Sequence, residues 1–318
     1  MNKDRTPLVA IRCIAYNHEK YIAQALDGFV MQKTDFPFVV IVHDDASTDM
    51  TANIIREYAE KYPEIIKPIF ETENQYRKSG NPLGKIMTKA IDETGAKYVA
   101  YCEGDDYWIN PLKLQKQVDF LESHPDYSMC FHNAIVHHEN GEKEDYEFYP
   151  IEDREYSRRE VVEHWAVPTA SIIHRADIYH TEYYNRYKNS RKLIFGDNPL
   201  IRCCGMYGKL YGFKECMSIY RRQPGGFMAN INDTVLYRRC FHEEELIRIF
   251  DGDLRDISKR FIGNYSYLVT NFLLRGEYMQ AWRLFRLTLK YAPLTSLKKN
   301  LANVSRNVYH KFLPSSGR

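Results

Sequence analysis

A chain of 318 residues, 44% hydrophobic and 14% aromatic, can bury a large core and is long enough for one α/β domain with an appended element. Its formal net charge of +2 is too small to point to nucleic acid, which calls for a concentrated basic face. Seven cysteines with no Cys-x-x-Cys pair argue against a disulfide framework or zinc site and fit a reducing cytoplasm.

The first apolar run, Leu8 to Ala15, is short and carries Arg12, so no secretory leader is expected. No stretch approaches the ~20 apolar residues that cross a bilayer. Val9 to Ala15 reads as a strand. Tyr16-Asn17-His18 is a polar turn, and Ile22, Ala25, Leu26, Phe29 and Val30 follow at helical spacing. Phe38 to Val42 is the almost wholly apolar run of a strand covered on both faces, and it ends directly in His43-Asp44-Asp45. Ser47, Thr48 and Asp49 offer capping oxygens to a helix with Ile54, Ile55, Tyr58 and Ala59 on one side.

The pattern recurs after a polar segment, Glu71 to Asn81, and a helix around Lys85 to Glu93. Tyr98 to Cys102 is a further buried strand running into Glu103-Gly104-Asp105-Asp106-Tyr107-Trp108, and Pro111 opens a helix with Leu112, Leu114, Val118 and Leu121. Ligands of open α/β sheets bind outside the carboxyl ends of the strands, which is where both acidic pairs stand. Beyond about residue 125 the pattern loosens. Tyr127 to His137 is a candidate strand, Glu139 to Arg159 reads as a charged loop, and Glu243 to Phe272 and Met279 to Tyr291 as helices.

Three carboxylates on a tight turn cannot all be buried without a cation, and a hard divalent ion such as Mg²⁺ or Mn²⁺ with oxygen ligands resolves that cost. A carboxylate of the Asp44-Asp45 pair can accept a hydrogen bond from a base N–H or a ribose hydroxyl. The bland alternatives are a solvated acidic loop at the first site and helix capping at the second. Gly80 to Ile86 is not a phosphate-binding loop, being one residue short between its glycines and lacking the terminal Ser or Thr. His132, His137 and His138 lack partners at metal-ligand spacing.

The order Cys13-Ile14-Ala15-Tyr16-Asn17, then Val42-His43-Asp44-Asp45-Ala46-Ser47-Thr48-Asp49, then Glu103-Gly104-Asp105-Asp106 resembles the family 2 inverting glycosyltransferases of the GT-A fold. Here His43 and Ala46 replace the commoner residues, and Glu103 stands at the usual first Asp of the DxD-type motif. The resemblance runs from about residue 6 to 230. It implies a GT-A type, mainly parallel sheet flanked by helices, over residues 1–240, with a nucleotide-sugar half at 1–125 and an acceptor half at 126–240. A C-terminal helical extension at 241–318 follows.

The resemblance further implies a nucleotide-diphosphate-sugar donor, in the first instance a UDP-sugar, held by Ala15, Tyr16, Asn17, Asp44, Asp45, Asp105, Arg221 and Arg222. Asp105 and Asp106 would carry Mn²⁺ or Mg²⁺. Phe195-Gly196-Asp197-Asn198-Pro199-Leu200 is similar to the turn bearing the catalytic acid, which makes Asp197 the general base. Val167 to Ser171 is similar to the acceptor-side segment, with Thr169 and Ser171 as candidates beside Trp108, whose ring could stack on a sugar. Tyr220-Arg221-Arg222-Gln223-Pro224-Gly225-Gly226 is similar to a stretch that closes near the donor diphosphate. The acceptor would be a saccharide or lipid-linked saccharide in polysaccharide or glycoconjugate synthesis, in the cytoplasm or peripherally at the inner face of the cell membrane.

Two rivals use the same residues. A metal-dependent nucleotidyl- or phosphoryltransferase should carry a glycine-rich phosphate loop near the first strand, and Ile14 to His18 contains no glycine. A non-catalytic sugar-nucleotide-binding relative predicts binding without turnover, and the set Asp45, Asp105, Asp106 and Asp197 argues against it. The tail is a separate feature: Tyr278 to Arg318 holds eight Lys or Arg and no Asp or Glu. Ala281, Leu284, Phe285, Leu287 and Leu289 with Arg283, Arg286 and Lys290, followed by Lys298, Lys299, Arg306 and Lys311, could lie on an anionic membrane surface or form the ordinary solvated face of a packing helix.

Overall fold

A computed structural model of the chain describes residues 6–78, 80–190, 192–224, 232–250, 265, 267–291 and 302. The chain divides into two compact units, Met1–Arg191 with Gly196–Ala229, and Lys192–Phe195 with Asn230–Arg318.

The first unit is a mixed α/β structure around one ten-stranded sheet. Strands β1 (Val9–Ala15), β2 (Phe38–Asp44), β3 (Ile66–Phe70) and β4 (Tyr98–Tyr101) run parallel in the order β3-β2-β1-β4. They alternate with helices α1 (Ile22–Val30), α2 (Thr51–Lys61) and α3 (Pro82–Asp92). This is the arrangement that continuous apolar runs separated by amphipathic helices produce, since crossover helices cover both faces of the sheet. The core gathers Val9, Ile11, Cys13, Val40, Val42, Tyr98 and Ala100 from the strands with Ile22, Leu26, Phe29 and Ile55 from the helices.

The sheet continues as β9 (Ile173–Arg175), β6 (Tyr127–His138), β10 (Lys209–Arg222) and β5 (Tyr107–Trp108). Strand β9 is antiparallel to both β4 and β6, while β10 is parallel to β6 and antiparallel to β5. Helix α4 (Lys113–Ser123) follows β5, and α6 (Glu182–Lys188) precedes α7 (Asp197–Tyr207), which leads into β10. The stretch expected to be a loop from Glu139 to Arg159 instead holds β7 (Tyr146–Glu147), β8 (Arg154–Tyr156) and the start of α5 (Arg158–His164). Its charges hid this order because the two strands are short and largely exposed, and the Ser157 side chain caps α5 by accepting the Glu160 N–H at 3.2 Å.

The second unit is helical. Helix α8 (Asp233–Ile249) begins ten residues before the expected start, where the Asn232 side chain caps it by accepting from Val235 N–H at 3.0 Å. With the helix Tyr278–Tyr291 it forms a core of Cys240, Leu268, Phe272, Ala281, Leu284 and Leu287. The middle of the expected Glu243 to Phe272 helix, 251–264, lies outside the described residues, as do Lys298, Lys299, Arg306 and Lys311 of the tail. No helix among the described residues is long and apolar enough to cross a membrane.

Candidate active site

The carboxyl ends of β1, β2, β4 and β10 meet, and hydrogen bonds donated by main-chain N–H groups stitch them together. Asp45 N–H donates to the Ala15 carbonyl at 2.9 Å, and Gly104 N–H to that of Ile14 at 2.9 Å. Arg221 N–H donates to the Asp106 carboxylate at 2.8 Å. The two acidic turns are therefore tied to neighbouring strand ends by backbone geometry. Gly104 sits where a Cβ would lie 3.0 Å from the His18 ring and from Ile22 and 3.1 Å from the Ala15 side chain, so the turn packs closely on the end of β1 and a larger residue would require these side chains to give by a few tenths of an ångström.

At the β1 turn, Asn17 is held at φ 55°, in the left-handed region that asparagine tolerates. Its N–H donates to Ser47 Oγ at 2.9 Å and its side-chain oxygen accepts Thr48 N–H at 2.8 Å. Ser47 is thus committed to the β1 turn, and it is Asp49 that serves the start of α2, accepting Thr51 N–H at 2.9 Å. Asp45 is buried, with one oxygen accepting Gln75 N–H at 2.7 Å and the other Tyr76 N–H at 3.0 Å, so it fastens the segment after β3 over the strand end. Asp44 is buried too. One of its oxygens accepts Ser47 N–H at 3.3 Å, and Oδ1 has no hydrogen-bond partner. A buried carboxylate oxygen without a partner at a strand end is an unmet acceptor, the kind of exception that functional sites carry.

In the second acidic turn the three carboxylates divide. Glu103 faces inward, accepting from Arg12 Nη1 at 2.9 Å and Ile14 N–H at 3.1 Å. Asp105 accepts from Gln223 Nε2 at 2.9 Å and faces His18 Nε2 at 4.0 Å. Asp106 is buried, and burial first, then the neighbouring Asp105, pushes its carboxyl well above the usual range, against the Arg221 N–H bond. Negative charge so crowded is what a cation relieves, and the donors are carboxylate oxygens, as hard divalent ions prefer. Among the described residues no group of three or more His, Cys, Asp or Glu could hold a metal ion. A cation on Asp105 and Asp106 would therefore draw further oxygens from substrate and water.

Arg221 departs from the role expected of it. It is buried between the rings of Tyr21 and Tyr107, at 4.9 and 4.7 Å, donates through Nε to the Asp105 carbonyl at 2.7 Å and through Nη2 to Gln24 at 2.7 Å, and pairs with Glu139. It clamps the acidic turn and is not available to offset charge on a diphosphate. Arg222, pointing the other way on β10, lies over the Tyr220 ring at 5.3 Å and its Nε has no hydrogen-bond partner. The alternation of the strand separates the two arginines into a clamp and a cation with no carboxylate partner among the described residues.

Asp197 is the first residue of α7, half-buried, and its carboxylate accepts the N–H of Asn198 at 2.7 Å. Tyr220 feels both this residue and the acidic turn: burial pushes its phenol up to about 12, Arg222 opposes the shift, and Asp106, Asp105 and Asp197 add to it. One phenol thus lies within electrostatic reach of all three carboxylates.

Two acceptor-side candidates are corrected. Trp108 is fully buried: its Nε1 donates to the Ala170 carbonyl at 2.8 Å, its ring packs edge-on against Phe29, and Lys113 Nζ sits 4.0 Å above it. No face of the indole is left for a sugar. Ser171 is buried as well, with Oγ donating to the Pro168 carbonyl at 2.6 Å, so only Thr169 of that segment keeps partial exposure. The segment supports the acidic turn from behind through Trp108. Sequence reasoning missed Gln24, Glu139, Gln223 and Tyr220; the last two stand in the Tyr-Arg-Arg-Gln stretch, whereas Gln24 and Glu139 join the site only through Arg221.

The model of the family described as Glycosyl transferase family 2 matches residues 12–194. An uncharacterized protein of Mycobacterium tuberculosis (strain ATCC 25618 / H37Rv) is 35% identical over 228 residues, 69% of this chain. The match spans 60% of that relative's length. Among solved structures, S. aureus TarS 1-349 in complex with UDP-GlcNAc is similar with a TM-score of 0.58 and 18% identity, covering 95% of this chain and 91% of that one. The mannosyltransferase PcManGT from Pyrobaculum calidifontis in complex with GDP-Man and Mn²⁺ gives a TM-score of 0.54 and 15% identity, covering 97% and 82%. At those identities the structural likeness speaks for the fold.

Proposed function

Because the chain belongs to glycosyl transferase family 2, we propose that it moves a sugar from a nucleotide-diphosphate-sugar, in the first instance a UDP-sugar, to a hydroxyl of a saccharide or lipid-linked saccharide, with inversion at the anomeric carbon. The observation that carries this reading is the convergence of Asp44, Asp45, Asp105, Asp106 and Asp197 at the carboxyl end of one sheet, with Arg222 unpaired beside them.

The unpartnered Oδ1 of Asp44 and the remaining lone pairs of Asp45 are acceptors for a base N–H or ribose hydroxyl. Asp105 and Asp106 would hold Mn²⁺ or Mg²⁺. When bound, such an ion supplies positive charge where the diphosphate departs. Arg222 adds a fixed positive charge on the same side. Asp197 takes the proton from the acceptor hydroxyl as its oxygen bonds to the anomeric carbon. The bond from that carbon to the diphosphate breaks with its electron pair leaving on the nucleotide, and a single displacement inverts the centre. Support for the donor and metal classes comes from the complexes of the two structural neighbours.

The test is calorimetric binding of UDP-, GDP-, dTDP- and CDP-sugars with and without Mn²⁺, on the native chain and on Asp106→Asn and Asp197→Asn. Metal-dependent binding of one donor, weakened by Asp106→Asn and kept by Asp197→Asn, is the expected result. Absence of binding to every donor would overturn the reading, and binding of a donor without turnover on any glycan acceptor would favour the non-catalytic alternative.

A further inference from the structure

The helix Tyr278–Tyr291 was expected to present Ala281, Leu284, Phe285, Leu287 and Leu289 as its apolar side. The structure places Ala281, Leu284 and Leu287 in the core of the second unit, where they pack with Leu268 and Phe272. At about 100° per residue, Tyr278, Trp282 and Leu289 fall on a different line and point outward. Their exposures are 69%, 58% and 39%, with Met279 at 68%. Phe285 is partly buried and stacks with Trp282 at 6.0 Å. The helix is therefore apolar on two sides, and its own unit accounts for only one of them.

The outward stripe is flanked on one side by Arg286, Lys290 and Arg283. Lys290 is paired with Glu244 at 3.2 Å. Arg283 and Arg286 are exposed and have no acidic partner among the described residues. From Tyr278 to the last residue the chain holds eight Lys or Arg and no Asp or Glu, so no carboxylate from this stretch can neutralise them. Exposed Trp and Tyr beside unpaired arginines match an interface that is apolar on one side and anionic on the other. Tryptophan and tyrosine rings sit at headgroup depth with their polar edge toward water, and arginine meets lipid phosphate.

We propose that this outward face is a membrane-contact surface, in which Tyr278, Trp282 and Leu289 enter the headgroup layer of an anionic leaflet while Arg283 and Arg286 bind its phosphates. Charge complementarity selects lipid over a second copy of this chain, whose own copy of the face carries the same two unpaired arginines and would repel it. The inference goes beyond the transferase reading and stands on different residues. A transferase anchored this way would meet a lipid-linked acceptor at the surface where that acceptor resides.

The test is co-sedimentation of the full chain with vesicles of phosphatidylcholine alone and of a phosphatidylcholine–phosphatidylglycerol mixture. The variants are Trp282→Glu and the pair Arg283→Gln with Arg286→Gln. Native protein is expected to bind the anionic vesicles and not the neutral ones, and to be released by salt. Each arginine near an anionic surface contributes roughly five-fold, so the double variant should bind roughly twenty-five-fold more weakly. Trp282→Glu should lose binding as well. All three positions are exposed, so thermal melting and donor binding in lipid-free buffer should be unchanged, which separates this outcome from failure of the transferase reading. No preference for anionic vesicles, or binding indifferent to both variants, would overturn the proposal. So would a concentration-dependent dimer that Trp282→Glu dissolves.

Discussion

Replacing Gly28 by alanine tests how the acidic turn is held in place. Gly28 is buried in the middle of α1, where helix propensity alone favours alanine by about 1 kcal/mol. An added Cβ, however, would lie 2.9 Å from both the main-chain nitrogen and the main-chain oxygen of Trp108. Ordinary contacts begin about 0.5 Å farther out, and neither atom belongs to a side chain that can swing aside. Trp108 is in β5, paired with Ser218 of β10, and its indole is fixed by the Ala170 carbonyl. Overpacking against such a strand costs about 1–3 kcal/mol, so Gly28→Ala should be destabilised by about 1–2 kcal/mol in spite of the better helix former. Tyr107 and Trp108 directly follow Asp106, so a shift of several tenths of an ångström should reach the acidic turn. Misplacement on this scale lowers turnover by one to two orders of magnitude. Urea denaturation and turnover measured on the same preparation would check both effects. A variant as stable as the native chain or more so, with unaltered turnover, would refute the packing argument.

Ala46 is held at φ 61°, a conformation glycine adopts without strain, so Ala46→Gly should raise stability by about 1 kcal/mol in denaturant titration. Asp106→Asn keeps an acceptor for the Arg221 N–H and removes a charge beside Asp105, so its melting temperature in metal-free buffer should be equal or higher while turnover falls at least about 10²-fold. Lys113 is buried against Trp108 with only Gln117, among the described residues, accepting from it at 2.8 Å, and burial lowers its pKa from 10.5 to about 7. Between pH 7 and 10.5 the unfolded chain holds a proton there that the folded one does not. This lysine's contribution therefore makes stability rise with pH through that window, by up to about 1.4 kcal/mol per unit, and level off below it. The difference between native and Lys113→Met, measured by denaturation from pH 7 to 10, should shrink as pH rises; a difference independent of pH would rule this out.

What could be read from the residues was the half of the fold where burial is symmetrical. β1, β2 and β4 are covered on both faces and announce themselves as unbroken apolar runs, and the polar residues that end them mark the site. Strand β3 escaped notice because Pro68 interrupts a short edge run. Strand β10 escaped because its register shifts between Phe213 and Cys216 and again between Cys216 and Ser218, which breaks the period of two that would reveal it. The different fates of Arg221 and Arg222, and of Trp108 and Thr169, follow from which way each side chain points. Adjacent letters in a sequence do not carry that information until the strand is known.

In the bond from Arg221 N–H to the Asp106 carboxylate, the donor belongs to the main chain. Among the natural side chains only proline at 221 would remove it, so drift at that position can alter the guanidinium clamp while leaving the carboxylate aimed. Insertions and deletions are the greater hazard, since one residue gained or lost in β10 would present a neighbouring amide to Asp106. The irregular stretch between Phe213 and Ser218 is where such a change can be taken up without displacing residue 221. Length variation among related chains should therefore collect in that stretch, and the few residues from 218 to 221 should keep a constant spacing to the acidic turn.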